Sequence, residues 1–419
     1  DYGGIIYGSK NVTLSVRLIN ASYYLKTIIS VFSYQILFVA LLGFIQLFKT
    51  NKRLFITALS AFLLTGIITV FINGGIIFSD VHWGVAERYY STSAVVLMFT
   101  IPFGFLLIKD FLLSKFSKPI YSYLILSYFL IIPVLLFKYN YPKTDLSKTT
   151  IGNTYAENIL FLLPKNSVLF LSGDTTTFNI WYAYYVLKLR QDIDIINPST
   201  VGNNIYLNQE INKYYKNNPK AKLSEIISNT FDIVKKNRHI YIVNTTDILA
   251  KNTVLVPKGL VYEIVNKDNL PSEQEYLKDV ESIWQKIKIV RRKDLTLSEQ
   301  NFLATEFPFL YARGLARIGD FLYTKYNNPK KAADYYLKAI WIDEDFSQAY
   351  SGMAMSVFKD NGDCKLSLQN IQQAIDLYPV WSQYYSQQYY LSKNCNVKKE
   401  DMEKLRVDYK LRFNQNIEK

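Results

Sequence analysis

Three short stretches of the 419-residue sequence carry side chains that could do chemistry. The first is Asp80–Tyr89 (DVHWGVAERY), which sets His82, Glu87 and Arg88 beside Trp83 and Tyr89 between two uncharged segments. A cation there suits a reaction on a lipid phosphate. Charge builds on the leaving phosphate, and the planar guanidinium of Arg88 can hold two of its oxygens. Taken alone, the same residues suit better still an interfacial Glu–Arg pair opening a helix, with the aromatic rings as anchors at the membrane surface. The second stretch is Gly173-Asp174-Thr175-Thr176-Thr177, between a strand pattern and a helix pattern, with Trp181 and Tyr182 soon after. Loops at strand ends take ligands, and helix N-termini favour anions. Asp174 would repel a phosphate, however, and Asp or Thr before a helix is first of all an N-cap. Trp181 and Tyr182 could stack on a sugar or fill the core. The third is Cys364 and Cys395, at the start of one helical pattern and after the end of the next. Antiparallel neighbours would bring these two ends together, leaving either a disulfide in an oxidising compartment or two free thiols.

Other chemistries lack their residues. No nucleophile triad, phosphate-binding Gly-Lys loop or dinucleotide fingerprint occurs. His82 and His239 are distant from each other and from both cysteines, so neither a metal nor a cofactor is expected. The net charge of +13 comes from scattered lysines, some flanking apolar spans, which argues against a nucleic-acid partner.

The elements that must position these residues fall into two modules. Residues 1–140 hold 11 Lys and Arg against 4 Asp and Glu, and long uncharged stretches dominate them. Four such stretches, Thr27–Phe48, Leu54–Ser79, Tyr89–Ile108 and Pro119–Phe137, each have about the 20 residues that an α-helix needs to span a bilayer. Lys49, Lys52 and Arg53 mark the first connection, and Lys109, Lys115 and Lys118 the third. The second carries Asp80, Glu87 and a single cation, Arg88. The positive-inside rule then puts the first and third loops in the cytoplasm, and the second loop and the large C-terminal module outside.

Beyond Lys138 the pattern changes. Ser167–Leu171, Ile193–Ile196, His239–Val243 and Gly259–Val265 read as strands, and Thr176–Leu189 and Leu223–Lys236 as helices. Their alternation argues for a small α/β layer with a partly parallel sheet. From Pro271 onward the sequence is helical, with a weak repeat of helix pairs. Ala332, Tyr336 and Ala339 in one unit correspond to Ser367, Ile371 and Ala374 in the next, and Pro379 follows the second. This spacing resembles tetratricopeptide repeats, with a generic bundle of α-hairpins as the alternative. The expected fold is thus a membrane all-α module of four transmembrane helices, an extracytoplasmic α/β layer, and a tetratricopeptide-like helical bundle. Its expected boundaries are 1–26, 27–138, 139–268 and 269–419.

Three blocks carry a wider resemblance: Glu87-Arg88-Tyr89 leading into a span, residues 153–197, and residues 238–265. In the middle block Gly173-Asp174, Thr177-Phe178, Trp181-Tyr182 and Arg190-x-Asp192 fall in register. Together they resemble the C-terminal half of a multi-pass bacterial family long labelled a domain of unknown function. That family is similar to a eukaryotic transmembrane protein O-mannosyltransferase with a luminal tetratricopeptide tail, and both resemble the GT-C glycosyltransferases. Thr175 and Thr176 stand where the family usually has Asn-Asp, and Tyr184 where it has Gln. The resemblance implies a polyprenyl-phosphate-linked sugar as donor substrate, an exported protein as acceptor, and residence in the bacterial inner membrane with the C-terminal module periplasmic. It also implies a catalytic carboxylate in an earlier outer loop, upstream of Asp1, so that the chain is expected to be a fragment.

The leading expectation is therefore the later part of a protein O-mannosyltransferase-like enzyme, with membrane lipid and the lipid-linked donor as partners at Arg88, Glu87 and His82. The alternative is a non-enzymatic anchored repeat protein that scaffolds an envelope complex through its helical repeats.

Overall fold

The computed structural model describes residues 14–69, 80–115, 119–197, 238–244, 252–300, 302–379, 381–413 and 416–417. The chain folds as two compact units: the first runs to Ser147, and the second holds most of the remainder.

The first unit is helical. Helix α1 (Leu14–Thr50) turns at Ser33, whose φ of 62° is not helical. Helix α2 (Lys52–Leu63) starts where the side chain of Asn51 accepts the Leu54 N–H at 3.1 Å, and it passes into a π-helical turn, Leu64–Ile68. Helices α3 (Asp80–Lys115) and α4 (Pro119–Thr144) follow. Two segments are long and apolar enough to cross a bilayer, Asn20–Thr50 and Tyr90–Lys115. They contain nearly all of the first and third expected spans. The second expected span is helical only to Thr69 and then leaves the described residues, and the fourth lies on α4.

One expectation is overturned here. Asp80–Tyr89 is not a loop: it forms the first turns of α3, a continuous helix of 36 residues. Hydropathy marks where an apolar run ends, not where a helix does. Ala86, Glu87 and Arg88 favour helix and Asp80 favours its positive N-terminus, against Gly84 and the β-branched Val81 and Val85.

Helices α1 and α3 make the main contact of the unit, and they cross at backbone distance. A methyl group on Gly43 would sit 2.0 Å from the Thr100 carbonyl oxygen, and one on Gly104 would sit 1.9 Å from that of Val39. Small residues at such crossings let two backbones gain dispersion contact that larger side chains would prevent. Further along, the Tyr24 hydroxyl donates to Ser93 Oγ at 2.9 Å, Ser93 Oγ donates to the Tyr90 carbonyl at 2.8 Å, and the Tyr24 and Tyr90 rings meet edge to face at 5.1 Å. Gly66 leaves the room that the Tyr24 hydroxyl occupies.

The second unit begins with α5 (Ile151–Leu162), β1 (Val168–Phe170), α6 (Asp174–Trp181) and β2 (Asp194–Ile196). It continues through β3 (Ile240–Ile242), β4 (Thr253–Lys258), β5 (Val261–Asn266) and α7 (Glu273–Lys286). The expected helix Leu223–Lys236 lies outside the described residues. The sheet order is β2-β1-β3-β5-β4, with β1 parallel to β2 and β3, while β5 runs antiparallel to β3 and β4. Strand β4 has no counterpart in the sequence reading. It lies at the sheet edge, where Pro257 is tolerated, and Gly259 (φ +64°) turns the chain back into β5.

The helical part comprises α8 (Phe302–Thr324), α9 (Pro329–Ile342), α10 (Ser347–Asn361), α11 (Cys364–Leu377), α12 (Ser382–Asn394) and α13 (Lys399–Phe413). Successive helices pack on one another from α9 to α12. Ala332, Tyr336 and Ala339 of α9 and Ser367, Ile371 and Ala374 of α11 are buried, the small residues where the helices meet. One apolar core runs from α5 and the sheet through α7 and α8 to α9 and Ala349 of α10. Cys364, at the start of α11, and Cys395, just past α12, are joined by a disulfide with Cα atoms 5.6 Å apart.

Two outcomes are expected. Gly104→Leu should destabilise the first unit by about 1–3 kcal/mol, read as a lower melting temperature of the chain in detergent. Leu113→Ala, an exposed change on the same helix, should leave it unmoved. Alkylation should find no thiol before reduction and two after it, and reduction should remove about 2–4 kcal/mol of stability.

Candidate functional site

Strands β1 and β3 lie side by side and parallel, and the chain leaves β1 toward β2 on one side before returning to β3 on the other. A sheet whose order reverses in this way opens a crevice outside the carboxyl ends of the two diverging strands. From β1 come Ser172, Gly173, Asp174 and Thr175; from β3 comes Asn244. Gly173 supplies the φ of +83° that turns the strand into α6.

Helix α8 closes this end of the sheet with polar groups on an otherwise apolar helix. Arg317 is 8% exposed. It donates to the Val243 carbonyl at 2.9 Å and to Asn244 Oδ1 at 3.1 Å, and its guanidinium lies 4.5 Å from the centre of the Tyr262 ring. Asn244 in turn donates to the Ser172 carbonyl at 3.4 Å, tying the two strand ends together. Burial, reinforced by the nearby charge of Arg313, lowers the pKa of Arg317 to about 10. It stays protonated at neutral pH, so a permanent cation stands behind the loop. Arg313, one turn earlier, has a buried Nε without a hydrogen-bond partner among the described residues. Thr175 donates to Glu306 of the same helix, and the buried hydroxyl pair Tyr155 and Thr176 meets at 3.1 Å. Burial pushes the Tyr155 phenol up, holding it neutral.

The residues picked from the sequence divide between this edge and other places. Asp174 is exposed at the crevice and occupies the first turn of α6, where its charge suits the helix dipole. It is not the N-cap; that position is Gly173, with no side-chain cap bond. Thr177 is buried, and its N–H makes the first helical bond to the Gly173 carbonyl at 3.0 Å. Trp181 packs partly against the core with its ring 6.0 Å from Phe178, whereas Tyr182 is 45% exposed in the π-helical turn that follows α6. His82, Glu87 and Arg88 stand near the N-terminal end of α3 in the other unit, and their side chains lie outside the described residues. Arg313, Arg317, Glu306 and Asn244 were not singled out from the sequence. The available signal was two arginines four apart within the apolar run of α8, which places both on one helix face.

Arg190 and Asp192, in register with the family resemblance, form a staple. Arg190 donates to the carbonyls of Leu160, Leu163 and Pro164, closing the end of α5, and holds both Asp192 oxygens at 2.7 and 2.8 Å. Hydrogen bonding from Arg190 lowers the Asp192 pKa to about 2. A carboxyl depressed on folding contributes stability fully above its ordinary value of about 3.9 and loses it as pH falls through the folded value. The urea midpoint of the wild type should therefore drop between about pH 4 and pH 2 more steeply than that of Asp192→Asn. Equal slopes would remove the staple as a source of acid sensitivity.

Residues 152–298, which contain α5 but for its first residue, the whole described sheet, α7 and the Arg190–Asp192 staple, match the family model for TMEM260-associated domain 2. No curated protein and no solved structure matches the chain.

Proposed function

We propose that this chain forms part of an integral-membrane glycosyltransferase of the GT-C kind, protein O-mannosyltransferase-like, that moves a sugar from a polyprenyl phosphate to exported proteins. The observation that carries this reading is the TMEM260-associated domain of residues 152–298, downstream of two long apolar helices. Four helices embed the first unit in the bacterial inner membrane, and the second unit lies on the periplasmic side. The Cys364–Cys395 disulfide supports that placement, since such bonds persist in oxidising compartments. The uncharged middle stretches of α1 and α3, residues 27–48 and 89–108, with Leu41, Ile45, Val95 and Met98 exposed, support burial in lipid.

In this reading Arg88, with Glu87 and His82 beside it at the start of α3, takes the phosphate of the donor. Cleavage of the sugar–phosphate bond leaves negative charge on the phosphate oxygens. A fixed guanidinium that binds two of them stabilises that charge more in the transition state than in the bound donor. The acceptor hydroxyl must give up a proton as it attacks, so a carboxylate works opposite the cation. The second unit presents the acceptor protein.

The test is sugar transfer from a labelled polyprenyl-phosphate donor by the full-length protein in membranes. Arg88→Ala should reduce transfer about 100-fold or more at unchanged melting temperature, with partial recovery in Arg88→Lys. Full activity in Arg88→Ala would exclude that residue from the reaction. Absence of any transfer by the wild type would leave an anchored scaffold instead.

A further inference from the structure

The alternate helices α8, α10 and α12 line a cavity of about 350 Å³ in the helical part of the second unit. Its wall residues recur at helical spacing: Ala316, Asp320 and Tyr323 on α8, and Gln348, Ser351, Gly352 and Met355 on α10. Gln383, Tyr384 and Gln387 complete it on α12, with Trp381 at that helix's start. Tyr336 of α9 forms the floor. It fills the space left by Gly319 and Gly352, where added methyl groups would lie 2.9 and 2.3 Å from its ring, and its hydroxyl donates to Asp320 at 2.5 Å.

The lining is uniform in chemistry. It holds one carboxylate, three carboxamides and several hydroxyls, and neither Lys, Arg nor His. A phosphate, sulfate or carboxylate would meet Asp320 with no cationic side chain in the lining to bind it, since Arg317, whose charge reaches Asp320, is committed to the Val243 carbonyl and Asn244. A carboxamide both donates and accepts, and a carboxylate accepts at two oxygens, so the set matches adjacent hydroxyls, each of which also donates and accepts. Ser351 donates to Gln387 Oε1 at 2.6 Å, which fixes that carboxamide and leaves its amino group for a ligand. Trp381 supplies an apolar platform. The residue is 39% exposed and its ring rests on Tyr384, centres 5.9 Å apart and planes at 17°, while Tyr384 is locked by Ser347 at 3.0 Å. The negative face of an indole attracts the C–H edge of a polyol ring.

We infer that this cavity is a binding site for a neutral saccharide of one or two hexose units, stacked on Trp381 and hydrogen-bonded through Asp320 and the carboxamides of Gln348, Gln383 and Gln387. Size favours this over a peptide. Three helices spaced about 8–10 Å apart are crossed by roughly five extended residues, whereas the cavity lies near the lower end of the ~300–1,000 Å³ usual for small ligands. The inference does not depend on the transfer reaction, and its assay is separate from it.

The experiment titrates the full chain in detergent with methyl α-mannoside, methyl α-glucoside and their disaccharides, followed by saturation-transfer NMR and calorimetry. A Ser/Thr-rich decapeptide is run in parallel. At least one saccharide should bind with a dissociation constant at or below about 10 mM. Trp381→Ala and Gln387→Ala should each weaken binding about tenfold or more, and Trp381→Phe should lose less, because stacking survives. Gln348→Ala, an exposed change that threatens no packing, guards against loss through misfolding and should also weaken binding. Binding of the decapeptide alone, no saccharide with a dissociation constant at or below about 10 mM, or wild-type affinity in all four variants would each overturn the inference. Lost transfer in Arg88→Ala with saccharide binding intact would separate the two sites.

Discussion

Burial of helix α8 on more than one face is the constraint on which the second unit rests. One side of the helix packs on α5 and the sheet: Phe307 and Tyr311 meet Tyr155, Gly314 lies against Gly259 and Leu260, and Arg317 bonds to the end of β3. Another side receives Tyr336 against Gly319 and Asp320, and Phe309 meets Phe346 edge to face. A helix apolar nearly all round belongs in a core, and here the core is shared between the α/β layer and the helical pairs. Both the strand-end crevice and the cavity take residues from this one helix.

The charges on α8 follow from the same constraint. Arg317 is buried because the strand ends offer it a carbonyl, an amide oxygen and an aromatic face. Removing those partners would leave an uncompensated buried cation. The arginine therefore couples strand spacing to helix position, and the loop from Ser172 to Asp174 inherits its placement through Asn244.

Strands β1, β2, β3 and β5 are legible in the sequence because short apolar runs bounded by polar turns have few other folds. Strand β4 is not, since Pro257 speaks against a strand until its edge position is known. Helix pairs were legible from the spacing of Ala332, Tyr336 and Ala339, and the ends of α11 and α12 brought Cys364 and Cys395 together as helix geometry allows. The start of α3 was hidden because composition reports the surrounding solvent more directly than the backbone. The strand-end cations and the cavity were hidden for another reason. Gln348, Gln387 and Asp320 look like ordinary surface residues one helix at a time, and their chemistry appears only when three helices align.

The crossing of α1 and α3 has a bearing on how the first unit can change over generations. Each glycine faces the other helix's carbonyl, so a larger residue at either position cannot be accommodated by a rotamer change elsewhere. Mutational drift must pass around Gly43 and Gly104 together, by re-spacing both helices at once. The exposed apolar residues of the same helices meet no such partner and are free to exchange among apolar types. Each helix thus carries one position at which the alphabet shrinks to a single letter and an exposed face on which nearly any hydrocarbon side chain serves.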